Sequence, residues 1–245
     1  MFSLLFGLFV TLPMGVANAA PLSPARVQDA PMSVELSAAV ASDRMYLRVP
    51  GCTGSCAAIR EEHWQGGEAA LWLIPQIAVY GGAAHDGEET AAATYKGDGF
   101  RVHGGVKGGF DLRPGLGLNG WVSVAHVESK ASSTSASDSV AKFPDQAQRN
   151  QLELGAVVRV GQRDGGLDGW VGLEALPYSA DLTRVVQGVA VVKLIPTIPV
   201  SAVAGVRLVS EPLGGPWAER GRLSAGLTGS AGYRVGLTGW LSVSL

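Results

Sequence analysis

Residues 100–112, FRVHGGVKGGFDL, alternate without a break. Phe100, Val102, Gly104, Val106, Gly108, Phe110 and Leu112 fall on one parity. Arg101, His103, Gly105, Lys107, Gly109 and Asp111 fall on the other. A helix would scatter these charges round its surface, whereas a strand sorts them into an apolar or bare face and a charged or bare face. The length of the pattern constrains the fold more than its presence. Strands of soluble proteins usually run about 5–6 residues, and a tilted strand that crosses a bilayer needs about 9–11. Phe100 and Phe110 share a parity ten positions apart, and ten steps of about 3.3 Å tilted by about 40° rise roughly 25 Å. That is the height of a bilayer's apolar band.

The division recurs. Leu152, Leu154, Ala156, Val158 and Val160 alternate with Glu153, Gly155, Val157, Arg159, Gly161 and, further on, Arg163. Leu223, Ala225 and Leu227 alternate with Arg222, Ser224, Gly226 and Thr228. Tyr233, Val235, Leu237, Gly239, Leu241, Val243 and Leu245 alternate with Arg234, Gly236, Thr238, Trp240, Ser242 and Ser244. Less regular strands are expected at 33–41, 44–49, 69–80, 89–95, 116–129, 167–177, 181–194 and 199–210, which makes about twelve in all, within a range of 10–14. Turn signals separate many of them, among them Lys96-Gly97-Asp98-Gly99, Arg113-Pro114-Gly115 and Asp164-Gly165-Gly166. Longer connections are expected at 50–68, at the Ser-rich stretch 129–150 and at 211–221. This count puts 129–150 at the same end as the C-terminus. Residues 188–206 are apolar enough for a membrane helix, but Pro196 and Pro199 would break its middle and Lys193 lies within it, so two strands meeting at Pro-Thr-Ile-Pro are expected instead.

The first residues carry an address. Residues 2–12, FSLLFGLFVTL, are apolar, and Ala17-Asn18-Ala19 places small residues at −3 and −1 of a cleavage point after Ala19. That pattern predicts a cleaved signal peptide, 1–19, too short to anchor in a bilayer, the alternative being a membrane-lying N-terminal helix. A Pro- and Ala-rich lead-in, 20–31, is expected to precede a barrel over 32–245. Export implies an oxidising compartment. The two cysteines, Cys52 and Cys56 in GCTGSC, are close enough for a local disulfide, whereas a metal site would need two further ligands, and none is expected.

In a lipid bilayer every backbone N–H and C=O must be paired, so strands cross only as a closed barrel. The charged parity then faces the lumen and the apolar parity the lipid. Only 16% of the 245 residues are charged, and the net charge of −2 offers no basic footprint for nucleic acid. The export signal, the strand lengths and the low charge together predict an all-β, antiparallel transmembrane β-barrel; the alternative with the same alternation is a secreted soluble β-protein. The expected lumen lining is Arg101, His103, Lys107, Asp111, Glu153, Arg159, Arg163 and Arg234, with Lys193 and Arg207 as additions. The expected lipid face includes Phe100, Val102, Val106, Phe110, Leu237, Leu241, Val243 and Leu245.

With its signal peptide, Gly-interrupted alternating strands and a strand ending at the last residue, the chain resembles the outer-membrane β-barrel proteins of Gram-negative bacteria. The resemblance implies an outer-membrane location, contact with outer-membrane lipid and handling by the barrel-insertion machinery. In that class the last residue is usually aromatic; here it is Leu245.

No catalytic constellation is expected. Barrel lipid A deacylases carry His-x-Ser on one strand face, but in His126-Val127-Glu128-Ser129 the matching position is Glu128. His126 reads as a solvated rim residue, and His85-Asp86-Gly87-Glu88-Glu89 as a solvated hairpin loop. No phosphate loop, HExxH or nucleophile elbow occurs, and no cofactor is implied. Cations outnumber acids in the expected lining. A wide lumen would therefore make a small-solute channel with a lean toward anions, whereas a narrow one would pair Arg159 with Glu153 or Asp111 and close. Two functional expectations follow: a small-solute channel, or a non-conducting anchor of a trans-envelope assembly (motility, secretion or polysaccharide export), with other envelope proteins as partners of the loops at 50–68 and 129–150.

Overall fold

Long alternating segments must find a partner on both edges, and in the computed structural model they do. It describes residues 21, 32–48, 57–90, 95–134, 144–161, 166–185, 191–196, 199–213 and 221–245. The elements are β1 (Ser33–Arg48), β2 (Ala57–Ile74), β3 (Ile77–Thr90), β4 (Tyr95–Arg113), β5 (Leu116–Thr134), β6 (Pro144–Gly161), β7 (Gly166–Val185), β8 (Val191–Pro196), β9 (Val200–Val209), β10 (Arg222–Gly232) and β11 (Arg234–Ser244). All pairings are antiparallel, and β11 returns to β1 from Glu35↔Ser244 to Met45↔Arg234, so the sheet closes on itself.

Ten strands form the ring, not about twelve. The segments expected at 33–41 and 44–49 are the single strand β1, because Ser42 and Asp43 continue the alternation instead of turning. The segment expected at 69–80 is two strands joined at Pro75-Gln76, a turn without a glycine to announce it. The segment expected at 181–194 is the end of β7 and all of β8, and that expected at 89–95 spans the end of β3 and the start of β4.

The expected joint at Pro-Thr-Ile-Pro is present, but β8 and β9 do not make a hairpin. They run end to end along β7, β8 against Asp181–Arg184 and β9 against Gly166–Ala175. Neither Pro196 nor Pro199 has an N–H to give to the ladder. Pro199 instead accepts a hydrogen bond from Leu176 N at 2.8 Å, beside the irregularity in β7. The short hairpin β10–β11 inserts at this joint as a wedge. At its tip Tyr233 N donates to Val200 O at 3.2 Å, and Tyr233 O accepts from Tyr46 N at 3.0 Å. Beyond the tip, β1 leaves β11 and pairs with β8 through Leu47↔Pro196 and Arg48↔Ile195. The barrel therefore has ten strands (β1–β7 and β9–β11) at one end and narrows to eight (β1–β8) at the other.

The wide end carries Ser33 and Ser244 and the tight turns at Pro75-Gln76 and Pro114-Gly115. Gly115 has φ +78°, which the second turn position demands and which glycine adopts without strain. The narrow end carries the connection between β5 and β6, opposite the C-terminal end, which corrects the sidedness expected for 129–150. The expected loops are also shorter. Residues 57–68 belong to β2, and 129–134 and 144–150 belong to β5 and β6. At 19 residues and a tilt near 40°, β4 and β5 rise roughly 48 Å, about twice the apolar band, so the sheet continues past the band as a collar of strands at the narrow end.

Candidate functional site

The alternation separates an exposed outer face from a buried inner one. Phe100 and Phe110 are 49% and 52% exposed on the outer face, and Val102, Val106, Leu237 and Leu245 are exposed with them; Leu241 and Val243 are half-buried on the same side. Val122, Val124, Val158, Val160, Val171, Leu173, Val206 and Leu208 extend this apolar face around the ring. A water-soluble barrel would bury these groups and expose the charged ones. Here the ionic parity is the buried one: Arg101, His103, Lys107, Glu153, Arg159, Arg207 and Arg234 all lie inside. Asp111 sits at the wide mouth, partly exposed, with its Oδ1 2.6 Å from Arg159 Nη2. Arg163, the side chain of Lys193, Cys52, Cys56 and the signal peptide lie outside the described residues.

The interior is packed in layers. Toward the wide end Lys107 Nζ lies 3.4 Å from both Glu35 Oε2 and Glu68 Oε1, and Glu68 Oε2 is 3.3 Å from His103 Nε2. The same ammonium stands over the rings of Trp72 and Tyr80, 6.0 and 5.7 Å from their centres. Arg207 pairs with Asp168 across β9 and β7. The middle layer is aromatic and small: Trp64, Trp121, Trp170 and Trp240 pack with Ala39, Ala41, Ala84, Val157 and Val203. Trp121 Nε1 donates to Glu153 Oε1 at 3.2 Å. Toward the narrow end Glu62 takes both Arg101, at 3.5 Å, and Arg149, while Arg234 joins Glu174 and Asp43, the latter at 3.5 Å.

In-strand glycines make room for this filling. Trp121 faces Gly155, Trp170 faces Gly205 and Trp240 faces Gly226 as direct cross-strand partners. A Cβ added to any of the three glycines would overlap the indole opposite. This pairing of a lumenal ring with a bare position follows the sheet rule in which an aromatic covers a cross-strand glycine. It accounts for part of the unusual glycine content, 34 residues.

Two sequence expectations change. The lining is not cation-rich: among the described residues seven acids (Glu35, Asp43, Glu62, Glu68, Glu153, Asp168 and Glu174) are buried against six permanent cations (Arg101, Lys107, Arg149, Arg159, Arg207 and Arg234). Six of those acids and Arg149 were missing from the expected lining because β1, β2 and the ends of β6 and β7 alternate less cleanly. The signal was present in β2, where Glu62, Trp64, Gly66, Glu68, Ala70 and Trp72 share a parity. The second change concerns His85 and its acidic neighbours, which lie within β3, not in a hairpin loop. His85 is exposed on the outer face with Nε2 2.9 Å from Asp98 Oδ1.

Polar groups also mark where the outer apolar face ends. Arg44 Nε donates to Glu61 Oε1 at 2.9 Å. His126 Nδ1 lies 2.8 Å from Asn150 Oδ1, its Nε2 3.3 Å from Glu128 Oε1, and Gln148 Nε2 donates to that same oxygen at 3.0 Å. Together with His63, Gln65, His85 and Asp98 these residues form a polar band on the narrow-end side of the apolar one. His126 is thus a rim residue of the outer surface, where it faces an acid and two amides.

No protein-family model and no curated protein matches the chain. Among solved structures it is similar to Gram-negative outer-membrane β-barrels. The translocator domain of the autotransporter NalP from Neisseria meningitidis aligns over 89% of this chain and 90% of that one, at 13% identity and a TM-score of 0.49. The transport unit of the autotransporter AIDA-I from Escherichia coli aligns over 92% and 94%, at 10% identity and 0.49. The outer membrane protease OmpT from Escherichia coli aligns over 93% and 97%, at 11% identity and 0.38. By its own strand pairings the chain is a closed antiparallel β-barrel.

Proposed function

We propose that this protein is an outer-membrane barrel that does not conduct solutes and serves as a membrane-embedded anchor. The carrying observation is the filled interior. The ionic and aromatic side chains that would line a pore have no water-accessible surface to speak of: Trp72 and Trp240 are 0% exposed and Arg101 and Lys107 1%. Selective diffusion needs an aqueous path along fixed charges. Here the charges neutralise one another across the bore, as Arg149 on β6 and Glu62 on β2 do, and the indoles occupy the middle. Narrowing to eight strands works the same way, since about eight strands leave space only for side chains.

This favours the anchor over the small-solute channel, the other function compatible with the sequence. The signal-like sequence of residues 1–19, the outer apolar band and the tight turns at the end bearing both strand termini support an outer-membrane setting, reached through the barrel-insertion machinery. The strand collar beyond the band is the surface through which other envelope proteins would be engaged. Planar-bilayer recording of the refolded, detergent-solubilised barrel tests the reading. Silence at ±100 mV is expected, on the order of the potentials membranes carry, together with co-purification of envelope partners. Reproducible open steps from the purified protein would return the assignment to a channel.

A further inference from the structure

The lumenal wall is dry almost to the wide rim. Glu35, Trp72, Asp168 and Arg207 each stand two positions from the wide end of their strands, and Ala78 stands one, yet all five are buried, Trp72 and Ala78 completely. On the outer wall at the same level Leu73, Ile74, Ile77 and Leu167 are exposed. This is the ten-stranded end, where the ring is wider than the eight strands that side chains alone fill. Ala70, Trp72, Ala78 and Tyr80 form an apolar cluster on this wall. Lys107, whose ammonium stands over both rings, is itself buried, so the cover lies over it as well.

The N-terminal side of the chain leads to that cover. Pro21 is buried although it lies twelve positions ahead of Ser33, the first residue of β1. With the outer wall beside the rim exposed, the bore is the place that can bury it. Met32 N donates to Trp72 O at 2.7 Å, which fixes the chain at the rim beside the cluster. Met32 also has φ +61°, the one left-handed non-glycine residue among those described. A residue with a Cβ holds that conformation only where its surroundings impose it, and here it turns the chain off the line of β1. Eleven steps from Met32 to Pro21 span at most about 40 Å, enough to reach any level of the lower bore.

We propose that the wide mouth is the docking site of the chain's own N-terminal segment, residues 20–31, which enters the bore and lays Pro21 and Pro24 against the cluster of Ala70, Trp72, Ala78 and Tyr80. The segment, APLSPARVQDAP, suits the site. Its three prolines bring no backbone N–H that a dry interior would have to satisfy. Extended segments with prolines three apart, as Pro21 and Pro24 are, dock on aromatic-lined surfaces. Trp72 Nε1 is a buried donor without a hydrogen-bond partner among the described residues. An extended proline-rich segment keeps its carbonyls free to accept from such a donor, because that conformation makes no internal hydrogen bonds. The other connection at this rim, which follows β9, begins with Glu211, Pro212 and Leu213 exposed, and so leaves the barrel outward. The docking rests on the filled interior but not on the anchor role.

The test is labelling of Ala78→Cys by a bulky water-soluble maleimide, in full-chain barrels that also carry Cys52→Ser and Cys56→Ser. Leu213→Cys, exposed at the same rim, is the reactive control. Ala78→Cys should be protected in the full chain. Deleting residues 21–31 should raise its labelling rate at least tenfold, and a synthetic peptide of residues 20–31 should restore the protection. Equal rates with and without the segment would overturn the proposal: fast in both, the mouth is open; slow in both, the barrel or the connection 214–220 covers the wall. A peptide that fails to slow the labelling would also count against it. A spin label at Pro21→Cys reads the same docking without a deletion. It should be immobilised and shielded from a water-soluble nickel reagent, and a mobile, wetted label would overturn the proposal. Conductance of the full chain is read separately: open steps with Ala78→Cys still protected would sink the anchor reading and leave the docking in place.

Discussion

Lys107 offers the sharpest test of the filled lumen. Its ammonium is fully buried, 3.4 Å from each of two carboxylates, and replacing it with methionine preserves volume while removing the charge. Glu35 and Glu68 are then left facing each other's charge in a dry interior. Deleting one partner of a buried pair costs about 3–5 kcal/mol, because the remaining charge keeps its desolvation penalty and loses its compensation. Glu68 retains His103 at 3.3 Å as a second partner, so a loss toward the lower end of that range is expected, about 3 kcal/mol, or a factor of roughly 150 in the folding equilibrium. Reversible urea unfolding of barrels in detergent micelles, followed by tryptophan emission, reads this directly, since Trp72 lies beneath the ammonium. The triple variant Lys107→Met, Glu35→Gln, Glu68→Gln removes the stranded charges and should regain most of the loss. If Lys107→Met costs less than about 1 kcal/mol, or if the triple variant is no better than the single, the lumen is wet at this level and the argument for closure fails.

Other outcomes follow from the same geometry. Gly155→Val should drive the Trp121 indole off Glu153 and cost about 1–3 kcal/mol by overpacking, and Trp121→Ala in the same chain should relieve part of it, read by the same unfolding curves. Val106→Arg places a cation in the middle of the outer band and should destabilise vesicle-embedded barrels by about 2–4 kcal/mol, with little effect on the lumenal tryptophan environment. Spin labels at Val102 and Val106 should show oxygen accessibility typical of hydrocarbon, while one at Lys107 should be reached by neither oxygen nor a water-soluble nickel reagent. Equal wetting of all three positions would contradict the assignment of inner and outer faces.

How much of this was legible in the sequence depends on how cleanly each strand alternates. In β4 the residues from Phe100 to Lys107 fall into two faces by parity, because a period of two admits only two sets; which set turns inward follows from the strand length and the export signal, since a soluble barrel would reverse it. Glu62 and Glu68 are harder to read although they share that parity in β2, since His63 and Gln65 make the outer face of the same strand polar where it leaves the membrane band. The turn at Pro75-Gln76 is equally hard to read from sequence, having no glycine and sitting between apolar runs.

The local pattern along the chain thus determined strand character, the two faces and the need to close, since alternation and backbone pairing are properties of each segment and its immediate neighbours. Whether the bore is open was decided only by the assembled ring. Lys107 meets Glu35 across 72 positions, and Arg149 meets Glu62 across 87. The width that lets them meet is set by ring number and by the wedge at Pro196 and Pro199, which no single strand encodes. A charged residue pointing inward is the same in sequence whether it faces water or its counter-ion, and only closure brings the counter-ion within reach.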